Sequence, residues 1–276
     1  MNKRILTLAF LIAAACTAPA LAGKAITVKG SDTMVILGQR WAENYMNANP
    51  GQIVMVTGGG SGTGIAALIN GTTDICQSSR AMKQDEKLKL RDRFQTMGVE
   101  IPVAKDGLAV YVHPSNPLKE LTIEQLKLVY EGKITNWKQL GGKEATIILY
   151  GRENSSGTYG FFKDHVLKGR DFSPRVQTLP GTAAVVNAVA KDPNGIGYGG
   201  AAYAKGVRDV AMKADAKSSA YLPTSENVNS NKYPLARDLY FYLRKTPAGD
   251  TKRFIDWILS PEGQKLAVAV GYFPVK

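Results

Sequence analysis

Short runs of strand-forming residues alternate with segments of helical periodicity along most of this chain. Parallel strands need crossover connections, and helices are the usual ones, so this order predicts an α/β fold with parallel sheets. We predict strands at residues 26–28, 52–57, 73–77, 107–112, 147–150, 196–198 and 239–243. We predict helices at residues 34–47, 65–70, 84–96, 122–130, 158–167, 183–190 and 252–270, the last one interrupted at Ser260-Pro261, where the Ser can cap a new helix.

The length of the chain favours a division into two lobes. Its 276 residues exceed a typical single domain. No repeat or low-complexity linker interrupts the pattern, so we expect two strand crossings to join the lobes in place of a flexible tether. We predict that residues 23–108 plus 239–276 form lobe I and that residues 109–238 form lobe II, each with a central sheet flanked by helices.

The first residues have the pattern of a secretory signal peptide. Lys3 and Arg4 precede an apolar run at 5–15, and Ala20-Leu21-Ala22 is a small-x-small cleavage signature. The run is too short to span a bilayer, which takes roughly 20 residues. We therefore predict a signal peptide at 1–22 and a soluble periplasmic protein. Residues 13–16 loosely resemble a lipobox, so lipid anchoring through Cys16 is the minor alternative.

Cleavage after residue 22 would leave Cys76 as the single cysteine, which excludes an intramolecular disulfide. Cys76 lies in a predicted buried strand, and we interpret it as a core residue.

The formal net charge of +12 favours an anionic partner. The basic residues are scattered, with no run of five and no interleaving of Arg with aromatic residues. This distribution is not typical of a nucleic-acid groove, so we expect a small anion as the ligand and no nucleic-acid partner.

Three segments combine a strand end, Ser or Thr with Gly, and a helix start, at 30–34, 58–64 and 151–158. A helix start presents unpaired backbone N–H groups and the positive end of the helix dipole, so it can bind an oxyanion. Gly allows close approach of the backbone, and Ser or Thr adds a hydroxyl donor. Arg152 opens the third segment and supplies a planar fork of donors suited to a tetrahedral oxyanion.

These motifs resemble those of the periplasmic phosphate-binding proteins of high-affinity phosphate ABC transporters. The resemblance covers nearly the whole chain after the signal peptide, and Arg-x-x-x-Ser-Gly-Thr at 152–158 is its most specific element. It also rests on Gly-Ser-Asp-Thr-Met at 30–34, Gly-Ser-Gly-Thr-Gly at 60–64, Asp74 with Ser78-Ser79-Arg80, and the segments at 106–110, 194–198 and 257–263.

The resemblance implies a two-lobed type II periplasmic-binding-protein-like fold. It implies a receptor that captures inorganic phosphate between its lobes and delivers it to the permease subunits of an ABC importer. Such a protein is a monomer, is not an enzyme and uses no cofactor or metal. The implied ligands are the backbone N–H groups of Thr33 and Met34, together with Ser61, Arg152, Ser156, Gly157 and Thr158.

One position departs from the best-known branch of the family. That branch has an aspartate after the third strand, which accepts the proton of bound phosphate, whereas this chain has Ser79 followed by Arg80. We include Ser79 in the predicted ligand set. Ser31, Asp32, Arg80 and Asp106 form a second tier. Arg80 is expected to contact the anion, to pair with a nearby acid such as Asp32 or Asp106, or to form a salt bridge at the surface. We expect Arg152 to be the only buried cation in the cleft.

Other functions fit the sequence less well. Residues 62–67 match G-x-G-x-x-A, but no strand precedes the acidic residues that follow, and no P-loop occurs. A hydrolase needs a base beside its nucleophile, and His113 and His165 lie in no such motif. A receptor for sulfate, molybdate or tungstate remains as an alternative, as does a secreted phosphate-ester hydrolase built on the same scaffold.

Overall fold

A computed structural model describes residues 25–275. The predicted signal peptide at 1–22 and the lipidation of Cys16 lie outside the described residues. The strands are β1 (Ile26–Gly30), β2 (Val54–Thr57), β3 (Ile75–Ser78), β4 (Val99–Val112), β5 (Glu120–Thr122), β6 (Ile148–Arg152), β7 (Gln177–Leu179), β8 (Gly195–Gly200), β9 (Arg208–Asp209), β10 (Ala211–Lys213) and β11 (Ala236–Leu243).

Helices connect most of the strands. They are α1 (Val35–Ala48), α2 (Ser61–Asn70), α3 (Gln84–Phe94), α4 (Ile123–Tyr130), α5 (Gly157–His165), α6 (Thr182–Lys191), α7 (Ser225–Asn229), α8 (Gly249–Leu259) and α9 (Pro261–Val270). A 3₁₀ turn at Asp32–Met34 leads into α1. No helix between residues 25 and 275 is both long enough and apolar enough to span a bilayer.

The strands form a continuous sheet in the order β2-β1-β3-β11-β4-β8-β6-β7, with β9 beside β4. In lobe I, β1 lies parallel to β2 and β3, as the strand–helix alternation predicts. In lobe II, β6 lies parallel to β7 and β8. The two antiparallel strands β4 and β11 lie between these groups and connect them.

Strand β4 belongs to both lobes. Its first part pairs with β11 up to Gly107, and its second part pairs with β8 from Leu108 onward. The buried apolar residues follow the same division, because Val103 and Ala104 pack in one core cluster and Leu108 and Val110 in another. The fold is thus two α/β lobes joined through β4 and β11.

Both joining strands begin earlier than predicted, at Val99 in place of residue 107 and at Ala236 in place of residue 239. Charged residues and Pro102 interrupt the apolar pattern of these segments, which hides the strands in the sequence. Pro102 lies opposite Tyr240, where the register shifts between Leu239 and Tyr240, and such an irregularity accommodates a residue without an N–H.

Local signals predicted several element ends correctly. Thr122 caps α4 by accepting a hydrogen bond of 3.0 Å from the N–H of Gln125. Ser260 caps α9, and Pro261 is the first residue of that helix. Cys76 is fully buried in β3, which confirms its interpretation as a core residue.

Asp209 of β9 is the basis of a prediction about stability. Its Oδ1 is buried and has no hydrogen-bond partner within the described part of the chain. Burial raises the pKa of Asp209 from 3.8 to about 6, against the opposing effect of Arg208. Because the folded-state pKa is the higher one, ionisation of Asp209 costs the fold stability as the pH rises from about 4 through about 6.

We expect Asp209→Asn to raise the melting temperature at neutral pH by on the order of 5 °C and to leave it nearly unchanged at low pH, where Asp209 is protonated in both states. Thermal denaturation followed by circular dichroism across this pH range measures the effect. Asp215→Asn is the control, because hydrogen bonds from Ser218 and Lys217 lower the pKa of Asp215 and its removal should give no gain. Equal gains in the two variants would contradict the assignment.

Candidate functional site

Four chain segments meet between the two lobes. The carboxyl ends of the parallel strands β1, β2 and β3 lie at one edge of the lobe I sheet, and the turns that follow them lead toward lobe II. Strand β6 ends at Arg152, and α5 begins at Gly157 on the lobe II side. Because parallel strands end at a common edge, segments distant in the sequence converge at one place.

Buried hydroxyl groups from these segments form one cluster. The Ser31 hydroxyl donates to Ser79 Oγ at 2.9 Å, and Ser61 Oγ lies 3.4 Å from Ser79 Oγ. The backbone N–H of Ser79 donates to Ser61 Oγ at 3.0 Å. Thr33 Oγ1 lies 2.9 Å from Thr158 Oγ1, which joins lobe I to lobe II. We call these five residues, all of them buried, the hydroxyl cluster.

Gly157 lies directly against the hydroxyl cluster. A Cβ placed on it would overlap Ser61 Oγ and would lie 2.6 Å from Ser79 Oγ, so no side chain fits there. Nearby, the N–H of Gly62 donates to the carbonyl of Ser155 at 2.8 Å. The lobes are therefore in direct contact at the N-termini of α2 and α5.

The two helix starts differ in their capping. Gly60 precedes α2 with a φ of 95° and no side-chain cap, so the first turn of α2 presents the positive end of its dipole to the cluster. Ser156 caps α5, because its Oγ accepts from the N–H groups of Thr158 and Tyr159 at 3.2 and 3.3 Å. The Ser156 hydroxyl hydrogen can then be donated to another acceptor.

The backbone N–H of Met34, which the resemblance implies is a phosphate ligand, already has a hydrogen-bond partner. It donates to the Ser31 carbonyl at 3.1 Å within the 3₁₀ turn, and the Met34 side chain packs in the lobe I core. Two tyrosines from distant segments of the chain also bond to this turn. The Tyr203 hydroxyl donates to the carbonyl of Asp32 at 2.8 Å, and the Tyr272 hydroxyl donates to the carbonyl of Thr33.

Arg152 crosses between the lobes. Its side chain is 1% exposed. Its Nη2 donates to Asp32 Oδ2 of lobe I at 3.0 Å, and its Nη1 donates to Thr182 Oγ1 of lobe II at 2.8 Å. Arg152 Nε and Nη2 also donate to the carboxylate of Glu153. Burial would raise the pKa of Glu153, but the hydrogen bonds and charge of Arg152 outweigh this effect and lower it. Asp32 thus joins the site as a partner of Arg152.

Arg80 does not pair with Asp32 or Asp106, and that expectation is wrong. Both of its terminal nitrogens donate to Glu86 in the first turn of α3, at 2.8 and 2.6 Å. The pair is largely buried, with 11% and 15% of the two side chains exposed. The partner was missed because α3 folds back over the residues that follow β3, a tertiary contact that the sequence pattern does not reveal.

The expectation that Arg152 is the only buried cation is also wrong, because Arg237 of β11 is a second one. Its guanidinium binds Asp106 of β4 and also reaches Ser79 and Thr158. The signal was present in the sequence. Leu235, Leu239 and Phe241 are buried at alternate positions, so Arg237 occupies a core-facing position of the same strand.

No group of three or more His, Cys, Asp or Glu side chains within residues 25–275 is arranged to hold a metal ion. His113 contacts Ser115, and His165 contacts the carbonyl of Phe161. Neither residue supplies a base to a hydroxyl of the cluster in these contacts. The geometry therefore concentrates hydrogen-bond donors and does not assemble a nucleophile with a base.

Comparisons with known proteins give a consistent result. Residues 16–262 match the model of the PBP superfamily domain. The chain is 35% identical to the phosphate-binding protein PstS of Pseudomonas aeruginosa, over 89% of this chain and 81% of the relative. It is 31% identical to the phosphate-binding protein PstS of Bacillus subtilis, over 92% of this chain and 82% of the relative.

A crystal structure from Clostridium perfringens shows the same architecture. That protein, assigned as a phosphate ABC transporter substrate-binding protein and solved with bound phosphate, superimposes with a TM-score of 0.83. The two are 30% identical, and the match covers 91% of this chain and 100% of the other. The two-lobed fold predicted from the sequence is confirmed.

Gly157 provides a test of the contact between the lobes. We expect Gly157→Ala to destabilise the closed arrangement by about 1–3 kcal/mol, because the added methyl group overlaps Ser61 Oγ. Small-angle X-ray scattering should then give a larger radius of gyration than for the unmodified protein. Gly160→Ala in the same helix is the control, since its methyl group would meet only the flexible side chain of Arg80. Identical scattering for all three proteins would contradict the closed contact.

Proposed function

We propose that this chain, which belongs to the family of phosphate-binding proteins named PstS within the PBP superfamily, captures inorganic phosphate between its two lobes and delivers it to an ABC importer. The observation that carries this proposal is the convergence of the hydroxyl cluster and two helix N-termini between the lobes, with Arg152 bound to Asp32, a sequence neighbour of Ser31 and Thr33 in the cluster. A tetrahedral oxyanion needs such donors on several sides, and neither lobe alone supplies them all.

We assign the phosphate ligands to the residues that the family resemblance indicates, together with Ser79, which departs from the best-known branch of the family. They are Thr33, Met34, Ser61, Ser79, Arg152, Ser156, Gly157 and Thr158. The hydroxyls of Ser61 and Ser79 bond to each other, and the hydroxyl of Thr158 bonds to that of Thr33. A hydroxyl can turn its hydrogen toward an anion at little cost. Ser156 is best placed for this, because its oxygen is occupied as the cap of α5.

Ligand binding would favour the closed form. Thr33, Ser61 and Ser79 lie on lobe I, whereas Arg152, Ser156 and Thr158 lie on lobe II. A bound anion reaches both sets only when the lobes are together, and this difference in contacts shifts the population toward closure. We place the lobes at residues 23–108 plus 239–276 and at residues 109–238, close to where β4 exchanges β11 for β8 as its partner.

The choice of anion depends on the carboxylates around the cluster. Asp32 and Glu153 bind Arg152, and Asp106 binds Arg237. The position that follows β3 carries Ser79, whose hydroxyl can donate a hydrogen bond to an anion or accept one from a protonated phosphate, and it does not repel sulfate. A receptor for a related oxyanion such as sulfate, molybdate or tungstate is therefore the second candidate.

The family consists of receptors, and this chain is a binding protein, not an enzyme. Its place is outside the cytoplasm, where it meets the permease subunits of the transporter. We propose further that it is exported through the signal peptide at 1–22, is soluble in the periplasm unless Cys16 is lipidated, acts as a monomer and binds no nucleic acid.

Calorimetric titration of the purified protein, first freed of bound anions, tests the proposal. We expect binding of one phosphate per chain and weaker binding of sulfate and molybdate. Tighter binding of sulfate or molybdate would support the second candidate. No binding of any of the three would overturn both candidates.

Arg152→Ala should weaken phosphate binding by more than about 2 kcal/mol, because a charge-assisted pair and its geometry are lost. The titration should be accompanied by thermal denaturation of the ligand-free variant, which shows whether the lobes remain folded. Arg80→Ala is the matched control, since it also removes a largely buried guanidinium that binds a carboxylate. Unchanged affinity in Arg152→Ala, or an equal loss in both variants, would refute the role of Arg152.

Ser79→Asp should sharpen the rejection of sulfate. A carboxylate at this position accepts the proton of a protonated phosphate and repels fully ionised sulfate. Competition titrations with sulfate against bound phosphate measure the change, with Ser115→Asp on the surface as the control for added charge. Equal competition by sulfate in Ser79→Asp and in the unmodified protein would show that Ser79 does not face the anion.

A further inference from the structure

Arg237 and Asp106 form a buried ion pair on the two strands that join the lobes. They are opposite residues in the antiparallel register of β11 and β4. Only 2% and 1% of the two side chains are exposed. Arg237 Nε and Nη2 both donate to Asp106 Oδ2, at 3.0 and 2.7 Å.

The outer edge of the Arg237 guanidinium reaches the hydroxyl cluster. Nη1 donates to the carbonyl of Ser79 on lobe I at 3.2 Å, and Nη2 donates to Thr158 Oγ1 at the start of α5 on lobe II at 3.1 Å. One guanidinium on a joining strand therefore contacts the cluster on both of its sides. The ring of Phe161 covers its face, with the guanidinium carbon 5.3 Å from the ring centre.

The bond from Arg237 determines how the Thr158 hydroxyl can act. A guanidinium is donor-only, so Thr158 Oγ1 accepts from it and must direct its own hydrogen to another acceptor. Thr33 Oγ1, 2.9 Å away, is one group that can accept this hydrogen, and an anion between the lobes can replace it. Arg237 thus makes Thr158 a donor.

The ion pair does not use all the hydrogen-bonding groups of Asp106 and Arg237. Asp106 uses one oxygen for both bonds. Its other oxygen, Oδ1, is buried and has no well-formed hydrogen bond within residues 25–275, although the backbone N–H of Ala201 lies close to the carboxylate. Burying two charges is costly, and a pair with only structural value could be replaced by apolar residues. In this structure Nη1 and Nη2 of Arg237 instead also donate to Ser79 and Thr158 of the hydroxyl cluster.

The two buried guanidinium groups also differ in how far they are neutralised. Within residues 25–275, Arg152 binds two carboxylates, those of Asp32 and Glu153, whereas Arg237 binds one, that of Asp106. The positive charge of Arg237 is therefore the less compensated one at the site. A charge of this kind favours an anion, and it favours a doubly charged anion more than a singly charged one.

We propose that Arg237 is a positioning residue of the anion site, held by Asp106, which fixes the Thr158 hydroxyl as a donor and supplies the charge that selects the doubly ionised form of phosphate. This inference rests on the proposed phosphate function.

The test compares Arg237→Met with the unmodified protein by calorimetric titration with phosphate. We expect the affinity to fall on the order of 10- to 100-fold, as for the loss of hydrogen bonds that involve a charged group. Lys105→Met is the matched control. Lys105 pairs with Asp238 at 3.1 Å on the same two strands, one position away and on the opposite face, and its loss should leave the affinity unchanged.

The pH profile separates a positioning role from a structural one. The affinity of the unmodified protein should rise as phosphate loses its second proton, and Arg237→Met should flatten this rise. Arg237→Lys keeps the charge but loses the bond geometry, so it should bind more weakly with the rise preserved. A structural role would lower the melting temperature of Arg237→Met and leave its pH profile parallel to that of the unmodified protein, which would overturn the inference.

A double-variant cycle tests the action through Thr158. If Arg237 acts through that hydroxyl, Arg237→Met and Thr158→Val should together cost clearly less than the sum of their separate losses. Additive losses would contradict the coupling. If Arg237→Met does not fold, the double variant Arg237→Met/Asp106→Asn, which removes both buried charges, replaces it in the titration, the pH profile and the double-variant cycle. Absence of phosphate binding in the unmodified protein would instead overturn the proposed function.

Discussion

The antiparallel pairing of β4 with β11 is the contact on which the rest of the structure depends. These strands hold the two lobe sheets in one continuous sheet, and their register places Arg237 directly opposite Asp106. The lobes can move relative to each other only by bending these strands or the segments at their ends. The site therefore lies beside the structural connection between the lobes, and a buried charge on the connection contacts it directly.

Burial constrains the chemistry of the cluster. A polar group removed from water costs free energy unless it is hydrogen-bonded, so Ser61 pairs with Ser79 within lobe I and Thr33 pairs with Thr158 across the cleft. These bonds join groups that can all donate, and such groups can turn toward an oxyanion when one enters. Arg152 crosses the same cleft to reach Asp32, which adds an ionic contact to closure. A phosphate between the lobes would thus exchange hydroxyl–hydroxyl bonds for bonds to a charged acceptor, which are stronger.

The sequence predicted the alternating fold, and it also indicated several of the hydroxyl residues that the structure brings together between the lobes, because both depend on local patterns. Ser, Thr and Gly at a helix start indicate an anion site from a few adjacent residues, and Ser61, Ser156 and Thr158 were found in this way. The alternation in β11 indicates that Arg237 faces the core, but its partners were missed because they depend on the register between residues 131 positions apart in the chain. The partner of Arg80 was missed because it depends on the packing of α3. Tertiary contacts of this kind leave no periodic signal in one sequence.

The central claim is that one tetrahedral anion is held where the turn after β1 and the starts of α2 and α5 meet. A crystal structure of the phosphate-loaded protein tests this most directly. We predict density for a single phosphate within hydrogen-bonding distance of Ser61, Ser79 and Thr158, with the Arg152 guanidinium beside it. A phosphate bound elsewhere, or no density for an anion at this point, would contradict this placement.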